Sequence, residues 1–443
     1  MHQASDARFQ FSDSSLSPSS RLARCMKLNT PVLGASSSTG SISLPRAVSW
    51  GCALGLLCTL TASAADPGLE ERLKAIESQV KALQQENALL KQQLKGGGGG
   101  KEDSVVIRAG GKENKIKIGG IIQTQFEAGD QPDSRFETDN DRFLLRRARL
   151  NVSGEFAEHF AWKLEGEFGN GNLRENASYR AYALDAYLQW QRYDYANIRV
   201  GQFKTPFSRE YQISASKLLF AERSLPTDMF SASRNIGAAV KGDVLSERLS
   251  YTVGVFNGNG QNNGFNDNEK FMYAGRISGI PWKGKIGEME SQWTVGTSAY
   301  SSKDDAVSVR GFGFTGNTFA GDRRVWEVDT SFEFGRFEVA AEYFRGHYST
   351  ADSIPAQEFN ADGYYLTLAA YVLPKKLQAA IQYASFDPNL SVAGNTTDEW
   401  VFGLNYFIKG NDLKLMLNYH LGNNANSTDG NQGRLICRAQ LMF

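Results

Sequence analysis

The chain has 443 residues, in which 48 lysines and arginines balance 48 aspartates and glutamates. This balance argues against nucleic acid or an anionic membrane surface as a partner. Aromatic residues make up 12% of the chain and glycines number 44, a composition typical of many short strands joined by polar turns rather than of membrane helices. A chain of this length holds two or three soluble domains or one large β architecture.

Cysteine and histidine usage argues against metal or redox chemistry. Three of the four cysteines precede the predicted mature start, so the mature chain would keep Cys437 without a disulfide framework. The four histidines are scattered, with no H-E-x-x-H or C-x-x-C spacing and no defensible pairing with a serine nucleophile. We therefore expect no metal, no cofactor and no enzymatic activity.

Residues 1–65 have the features of a leader with a secretory signal peptide. Arg46 precedes an apolar run within 47–65, which ends near the small-residue motif A-S-A at 62–64. A membrane-spanning helix would need about 20 apolar residues, more than this run provides. Either Met1 or Met26 serves as the start, and both starts predict export.

A heptad pattern at 69–94 predicts a short coiled coil within residues 66–95, in the periplasm of an exported protein. Apolar residues recur at spacings of four and three, with Glu, Lys and Gln between them. Asn87 at an a position would fix the register, commonly in dimers, and leaves the number of helices open. Five glycines begin the next segment, so 96–113 is predicted to be a flexible linker.

From residue 114 onward, apolar and polar residues alternate with the period of two that strands impose. Leu144, Ala148 and Leu150, for example, alternate with Arg147 and Arg149. There are sixteen such segments, and an even number closes an antiparallel barrel with both chain ends on one side. The predicted strands are 115–126, 142–156, 160–168, 181–190, 196–204, 235–242, 248–256, 270–279, 291–300, 324–334, 337–347, 363–371, 378–384, 399–407, 413–420 and 434–443.

The connections between these strands sort by length. Residues 157–159 form a tight turn, whereas 257–269, 301–323 and 421–433 are long and rich in Gly, Asn and Asp. Alternating short and long connections are typical of outer-membrane barrels with periplasmic turns and extracellular loops. Charged residues recur on the polar faces, and a water-filled lumen tolerates them where a dry core does not. Residues 114–443 are therefore predicted to form an all-β, sixteen-stranded antiparallel transmembrane barrel.

The last strand and the longest connection fit this barrel. Between Leu435 and Phe443 apolar residues alternate with polar ones, which predicts one face on lipid and puts Arg434 and Arg438 in water. The connection 205–234 contains leucines and phenylalanines that argue against exposure to solvent. We expect it to fold into the lumen and narrow it, with packing on neighbouring surface loops as the alternative.

Four stretches resemble, in this order, the phosphate- and polyphosphate-selective porin family, porins O and P. They are FLLRRARLNVSGEF (143–156), VGQFKTPFSRE (200–210), AERS (221–224) and RNIGAAV (234–240). The resemblance covers 110–443 and implies a sixteen-stranded trimeric channel in the bacterial outer membrane. It also implies that the third extracellular loop folds inward, and that a ladder of arginines leads anions to a lysine-lined constriction.

Motif matching carries some of the family's residues onto this chain. Arg146 and Arg147 match the paired ladder arginines, and Arg223 and Arg234 stand in the matching E-R and R-N contexts. The implied constriction loop contains Arg209, Glu210, Tyr211 and Lys217. In phosphate-specific members a lysine follows the loop glutamate, whereas Tyr211 follows it here, a departure that argues against high-affinity phosphate selectivity.

The charge map predicts a basic wall, because barrel closure makes the last strand a neighbour of the first two. Arg147 and Arg149 face the lumen by parity, whereas Arg146 is out of phase, at a bulge or a subunit contact. The predicted wall consists of Arg434, Arg438, Lys115, Lys117, Arg147 and Arg149, and Arg199, Lys241, Arg276 and Lys414 add to it from other strands. For any single arginine, an ion pair across the lumen is an equal alternative.

The sequence thus predicts an outer-membrane porin for passive diffusion of small hydrophilic solutes. The expected solutes are small anions such as phosphate or polyphosphate, and the expected partners are outer-membrane lipid and two further copies of the chain in a homotrimer. The alternative is a general or other-substrate porin that also tethers the outer membrane to the cell wall through the coiled coil.

Overall fold

The computed structural model describes residues 104–109, 112–136, 141–169, 181–309, 311–312, 318–350, 358–423 and 430–443. The predicted signal peptide (1–65) and coiled coil (66–95) lie outside these residues. All the described residues belong to one compact unit, residues 99–443. Within the described part, no helix is both long and apolar enough to cross a membrane.

The described residues form seventeen strands and two short helices. The strands are β1 (Ser104–Ala109), β2 (Lys112–Gly129), β3 (Arg142–Phe156), β4 (Phe160–Glu167), β5 (Tyr182–Tyr193), β6 (Ala196–Lys204), β7 (Arg234–Val244), β8 (Leu249–Phe256), β9 (Met272–Ile286), β10 (Met289–Ser308), β11 (Thr318–Phe334), β12 (Phe337–Thr350), β13 (Glu358–Leu373), β14 (Leu377–Asp387), β15 (Thr397–Lys409), β16 (Leu413–Asn423) and β17 (Asn431–Met442). The helices are α1 (Arg209–Gln212) and α2 (Leu225–Phe230).

Strands β2 to β17 form a closed barrel. Each pairs antiparallel with the next, and β17 pairs with β2, where Arg438 lies opposite Gln125. The closure extends to the C-terminus, since the carbonyl oxygen of Phe443 accepts the N–H of Gly120 at 2.8 Å. The prediction of a sixteen-stranded antiparallel barrel is confirmed.

Strand β1 is an addition to the predicted set. It pairs with β2 on the side of β17, with Ser104 opposite Lys117, and continues that side of β2 beyond the last pair, Met442 with Ile121. The sequence analysis assigned residues 104–109 to the flexible linker, and that assignment was wrong. The run Val-Val-Ile within β1 has the β-branched composition that favours a strand.

The sequence overestimated the length of the connections. The predicted strands 270–279 and 291–300 extend to 272–286 and 289–308, and the predicted loop 301–323 shrinks to 309–317. Both faces of 301–308 carry polar residues, so the alternation that marks a strand is absent there. Antiparallel pairing continues regardless, because backbone hydrogen bonds do not require an apolar face. In 280–286 the alternation is present, with Trp282 and Ile286 on the outer face, and the predicted end at residue 279 was too early.

Side-chain burial follows the alternation. In β17, Leu441 is 44% exposed on the outer face, whereas Arg434 and Arg438 are 1% and 2% exposed on the inner face. Aromatic side chains bound the outer apolar band, with Trp326 beside Tyr343 at one end and Phe334 beside Phe337 at the other. Trp326 and Phe334 lie eight residues apart on β11, about 27 Å along a strand. This matches the apolar band and aromatic girdles of membrane barrels.

Candidate functional site

Residues 205–233 join β6 to β7 and carry both helices. The hydroxyl of Ser208 caps α1 by accepting the backbone N–H of Tyr211 at 3.2 Å. Ser224 caps α2, and Pro226 occupies the first turn, where its missing N–H leaves no bond unmade. This segment, 205–233, is called the β6–β7 segment below.

Inner-face side chains of distant strands bind the backbone of the β6–β7 segment. Lys414 Nζ on β16 donates to the carbonyl of Leu218 at 3.0 Å. Gln440 Nε2 on β17 donates to the carbonyl of Ser216 at the same distance. The segment therefore lies against the inside of the barrel wall around β16 and β17.

An aromatic cluster holds the other end of the segment. Phe230, with no exposed surface, stacks on Phe344 at a centroid distance of 5.6 Å and meets Phe386 edge-on at 5.5 Å. The hydroxyl of Tyr300 donates to the carbonyl of Phe230 at 3.0 Å. These contacts join the end of α2 to β10, β12 and β14.

A β-bulge in β3 turns two consecutive arginines toward the inside of the barrel. Gln123 lies opposite Arg147, whereas the next residue, Thr124, lies opposite Leu145, so Arg146 is the extra residue of the bulge. Arg146 and Arg147 are only 7% and 3% exposed. Of the two alternatives for Arg146, a bulge or a subunit contact, the structure has the bulge.

The carboxylate of Glu222 in the β6–β7 segment binds both arginines and a third one. Arg146 makes two parallel bonds to it, Nε to Oε1 and Nη2 to Oε2, both 2.8 Å long. Arg147 Nη2 donates to Oε2 at 3.1 Å, and Arg438 on β17 donates to Oε1. Three guanidinium charges against one carboxylate leave two positive charges, but all four side chains are buried. The cluster joins the segment to β3 and β17.

The arginines also determine the protonation of this carboxyl group. Burial alone would raise the pKa of Glu222, but the charges of Arg146, Arg147 and Arg438 outweigh burial and hold the pKa well below its ordinary value. Glu222 is therefore ionised at neutral and mildly acidic pH.

A second charge network joins the connection after β2 to the β6–β7 segment. Arg135 Nη2 donates to Asp133 at 2.8 Å and to Glu399 on β15 at 3.0 Å, and its Nη1 donates to the carbonyl of Arg223 at 2.5 Å. Burial would lower the pKa of Arg135, but the charges of Asp133 and Glu399 outweigh burial and raise it. The two networks together fix residues 221–223.

Carboxylates gather on the wall formed by β11 and β12. Glu342 accepts the backbone N–H of Glu210 at 2.5 Å and the hydroxyl of Ser208 at 2.7 Å. The Glu210 carboxylate accepts two bonds from Ser224, at 3.0 and 2.7 Å, yet burial outweighs them and raises the pKa of Glu210. Thus α1 is bound on the acidic side of the barrel, whereas Glu222 is bound on the basic side.

Next to the β6–β7 segment, four cationic residues line a cavity of about 240 Å³. They are Arg199, Lys204, Lys241 and Arg276, and the remaining lining is apolar or carries amide and hydroxyl groups. No carboxylate of the described residues lines this cavity. Glu327 and Asp329, which are not part of its lining, bind Arg276 at 2.7 and 2.6 Å. We call it the cationic cavity.

Two cations of this cavity keep donors available for a ligand. Arg199 uses Nε and Nη2 to bind Gln189 Oε1 at 2.9 and 2.7 Å, and its Cζ lies 4.2 Å from the ring centroid of Tyr187. A guanidinium carries five N–H donors, so three remain. Lys241 is exposed and makes no hydrogen bond or ion pair to any described residue. Both groups are arranged to bind an anion by charge-assisted hydrogen bonds.

Tyr211 lies between two cations that hold the segment. Lys204 Nζ and Arg223 Cζ are 5.3 and 5.0 Å from the ring centroid. Lys204 Nζ also donates to the carbonyl of Tyr211 at 2.7 Å, and Arg223 Nη2 donates to that of Ile213 at 2.9 Å. These cations are bonded mainly to backbone carbonyls of the β6–β7 segment.

The other predicted pore residues are separated from this cavity. Arg149 binds Glu167 at 2.6 Å, and Arg234 binds Asp185 at 2.7 Å. Arg434 Nη1 donates to the carbonyl of Gly129 at 2.6 Å. Arg209 lies 3.5 Å from Glu338. Lys117 and Lys217 are exposed, and the side chain of Lys115 lies outside the described residues.

The sequence brought some of these residues together and missed others. The strands β17, β2 and β3 are neighbours, as the predicted basic wall requires. Glu222 was missed, although it precedes Arg223 in the stretch AERS, and Lys204 was not selected, whereas Lys241 was predicted to add to the basic wall. Within the described part of the chain, no group of three or more His, Cys, Asp or Glu residues is arranged so that it could hold a metal ion.

Comparison with known proteins gives a family match and several similar folds. A family model described as "Phosphate-selective porin O and P" matches residues 116–443. An uncharacterized protein of Aquifex aeolicus (strain VF5) is 25% identical over 376 residues, 74% of this chain and 87% of that protein. Similar solved structures are a trimer form of OmpT from Vibrio cholerae (13% identity, 74% of this chain and 99% of that one, TM-score 0.50), the outer-membrane channel DcaP of Acinetobacter baumannii (12%, 76% and 100%, 0.51) and OmpF of Salmonella typhi in complex with daunomycin (13%, 74% and 98%, 0.52). At these identities the structures support the barrel fold alone.

Proposed function

The chain belongs to the phosphate-selective porin O and P family, whose model covers residues 116–443, and we propose that it is an anion-preferring diffusion channel. As a porin-like barrel it forms a channel in the bacterial outer membrane. Small hydrophilic solutes diffuse passively through its water-filled lumen, and the β6–β7 segment is the constriction loop that narrows it.

The observation that carries the anion preference is the cationic cavity beside this segment. Arg199 and Lys241 keep free donors there, and none of the described carboxylates lines the cavity. In a lumen, local charge at the narrowest part determines selectivity more than the sum over all walls does. The buried arginines around Glu222 hold the loop in place and contribute a long-range positive field.

Phosphate is proposed as a weakly bound solute. The position that follows Glu210 is occupied by Tyr211, an aromatic ring that adds no positive charge. The cations beside the ring, Lys204 and Arg223, already bind backbone carbonyls. A phosphate would have to displace carbonyls from Lys204 Nζ and from Arg223 Nε and Nη2, which leaves only Arg223 Nη1 without a bond to a described residue. This competition removes much of the energy that binding would supply.

The native assembly is proposed to be a homotrimer embedded in outer-membrane lipid. The trimer form of the similar Vibrio cholerae OmpT supports this proposal. The cleaved signal (1–65) and the periplasmic coiled coil (66–95), which would also reach the cell wall, belong to the same proposal and fall on residues outside those described.

Single-channel recording in planar bilayers tests the channel and its preference together. In a potassium chloride gradient the reversal potential should have the sign of chloride preference, and discrete conductance steps should be present. Absence of conductance would refute the channel, whereas a potential of opposite sign would refute only the anion preference.

A general porin is the second candidate, and the acidic wall favours it. Glu342 and Glu338 place negative charge on the wall that binds α1, whereas the arginines of β3 and β17 place positive charge on the wall that binds Glu222. The lumen therefore carries charge of both signs instead of favouring one. Such a channel would pass cations and anions with similar permeability. The same reversal potential distinguishes the two candidates.

A further inference from the structure

The outer face of the barrel has a recess between β6 and β11. Small residues point outward on neighbouring strands, with Ala238 on β7, Gly275 on β9 and Ala299 on β10. Elsewhere the outer face carries large side chains, such as Leu366 and Leu404, at 45% and 44% exposure. The recess has a volume of about 700 Å³ and an almost entirely apolar lining. This is within the range of small-molecule pockets.

One end of the recess is marked by a cation. Arg324 lines it, is exposed, and makes no ion pair or hydrogen bond to any described residue. It lies opposite Ser301 and His347 on the neighbouring strands, in the row where the outer face turns from apolar to polar. Two residues further along β11, Trp326 belongs to the aromatic girdle. Arg324 is therefore at the level where lipid headgroups meet the apolar band.

We propose that this recess binds lipid A, the phosphorylated and acylated glycolipid of an outer leaflet. An acyl chain fills the space above Gly275 and Ala299, and a phosphate binds the Arg324 guanidinium by charge-assisted hydrogen bonds. The proposal rests on the outer-membrane placement in the proposed function. The apolar face of a second copy is disfavoured as occupant, because it would bury the Arg324 charge without a partner.

The barrel contains a matched recess that lacks the cation. About 400 Å³ lies between β12, β13 and β14, walled by Val339, Leu368, Ala379 and Ile381. No arginine or lysine of the described residues lines it. An acyl chain fits both recesses, but a cation lines only the larger one, at Arg324.

Native mass spectrometry of the detergent-purified full-length protein tests this inference, with lipid A and phosphatidylethanolamine as probes. Wild type should retain lipid A, whose phosphomonoester groups are anionic, in preference to phosphatidylethanolamine, whose phosphate charge is balanced by its own ammonium group. Arg324→Gln should lower retention about fivefold, the effect of one basic residue at an anionic membrane surface. Ala299→Phe, which fills the recess, should also lower retention. Ala379→Phe fills the matched recess, and Arg345→Gln removes a nearby outward cation that pairs with Asp362. Both controls should retain lipid A.

Each other result contradicts the inference. Equal loss in Ala379→Phe would mean that acyl burial anywhere suffices, and equal retention of phosphatidylethanolamine would mean that the phosphate contact is not selective. A lower oligomer mass in Ala299→Phe would assign the recess to a subunit interface. Conductance of Ala299→Phe in planar bilayers should equal that of wild type, which keeps a failure of lipid binding separate from a failure of the channel.

Discussion

Arg146 and Arg147 are consecutive residues of one strand, yet both bind the carboxylate of Glu222 on the inside of the barrel. In a regular strand they would point to opposite faces. The bulge at Arg146 resolves this, because two residues of β3 occupy the space of one in β2. Two of the three buried guanidinium groups around Glu222 thus come from a single place on the wall, next to the seam where the barrel closes.

Deletion of Arg146 is the first prediction. Without the extra residue, Leu145 and Arg147 become neighbours and the alternation of faces is preserved on both sides, so the barrel should still assemble. Deletion of Val152, which lies in a regular stretch opposite Ile118 and Leu164, reverses the faces of the following residues and should abolish assembly. Assembly of the two deletion variants is measured by the heat-modifiable migration of outer-membrane fractions on gels. Failure of both deletions alike would mean that the bulge is structurally required.

Substitution of Glu222 should release the β6–β7 segment. Glu222→Gln leaves three buried guanidinium groups without their carboxylate. Removal of one partner of a buried ion pair destabilises the folded state by ~3–5 kcal/mol. We expect trypsin to cleave after Lys217 and Arg223 at least about tenfold faster, with noisier open-channel current. Glu247→Gln, on the exposed turn between β7 and β8, is the control with the same chemical change. Unchanged cleavage in Glu222→Gln would contradict the role of the cluster.

The same carboxyl group predicts a pH dependence. Its pKa in the folded protein is depressed, so its contribution is fully present above the ordinary glutamate pKa of ~4.3 and is lost as pH falls through the folded value. Open-channel noise of wild type should therefore stay constant from pH 7 to pH 5 and rise only in stronger acid. Glu222→Gln should be noisy throughout. A wild-type transition near neutral pH would assign control of the segment to another group, such as Glu210, whose pKa is raised.

Most strands could be predicted from the sequence because apolar and polar residues alternate within each of them, as they do from Leu435 to Phe443. The bulge at Arg146 could be predicted only as one of two alternatives, because two adjacent arginines do not show which of them is the extra residue. The face of Leu144, on the far side of the bulge, was therefore assigned wrongly: Leu144 is 6% exposed on the inner face. The partner of Glu222 was equally hidden, since Arg438 is 216 residues away. Contacts between side chains of distant strands depend on how the barrel closes and on the register of strand pairing. The local pattern of apolar and polar residues contains neither.

The cationic cavity predicts where selectivity changes. Arg199→Ala combined with Lys241→Ala removes the two cations with free donors, so the reversal potential should move toward cation preference. The control is Lys376→Ala with Lys409→Ala, which removes two exposed lysines at strand ends. The difference in reversal potential between wild type and the Arg199→Ala, Lys241→Ala variant should shrink as salt rises, because the Debye length falls from ~10 Å at 0.1 M to ~3 Å at 1 M.

Arg147→Ala with Arg149→Ala should shift the reversal potential less, since these arginines are bound to Glu222 and Glu167. The opposite order of effects would place the filter at β3.

The final prediction concerns phosphate and Tyr211. Millimolar phosphate should block wild-type current only slightly, because the cations beside the ring, Lys204 and Arg223, are bonded to backbone carbonyls. Tyr211→Lys adds an ammonium at a place where two cations lie about 5 Å from the former ring centre. Repulsion among three cations should turn the new group toward the lumen and favour an anion between them. We therefore expect phosphate to block Tyr211→Lys at concentrations at least about tenfold lower. Tyr211→Phe, which removes only the hydroxyl 3.4 Å from Ser233, should behave as wild type. Block of wild type by micromolar phosphate would show that a high-affinity site exists without a lysine at this position.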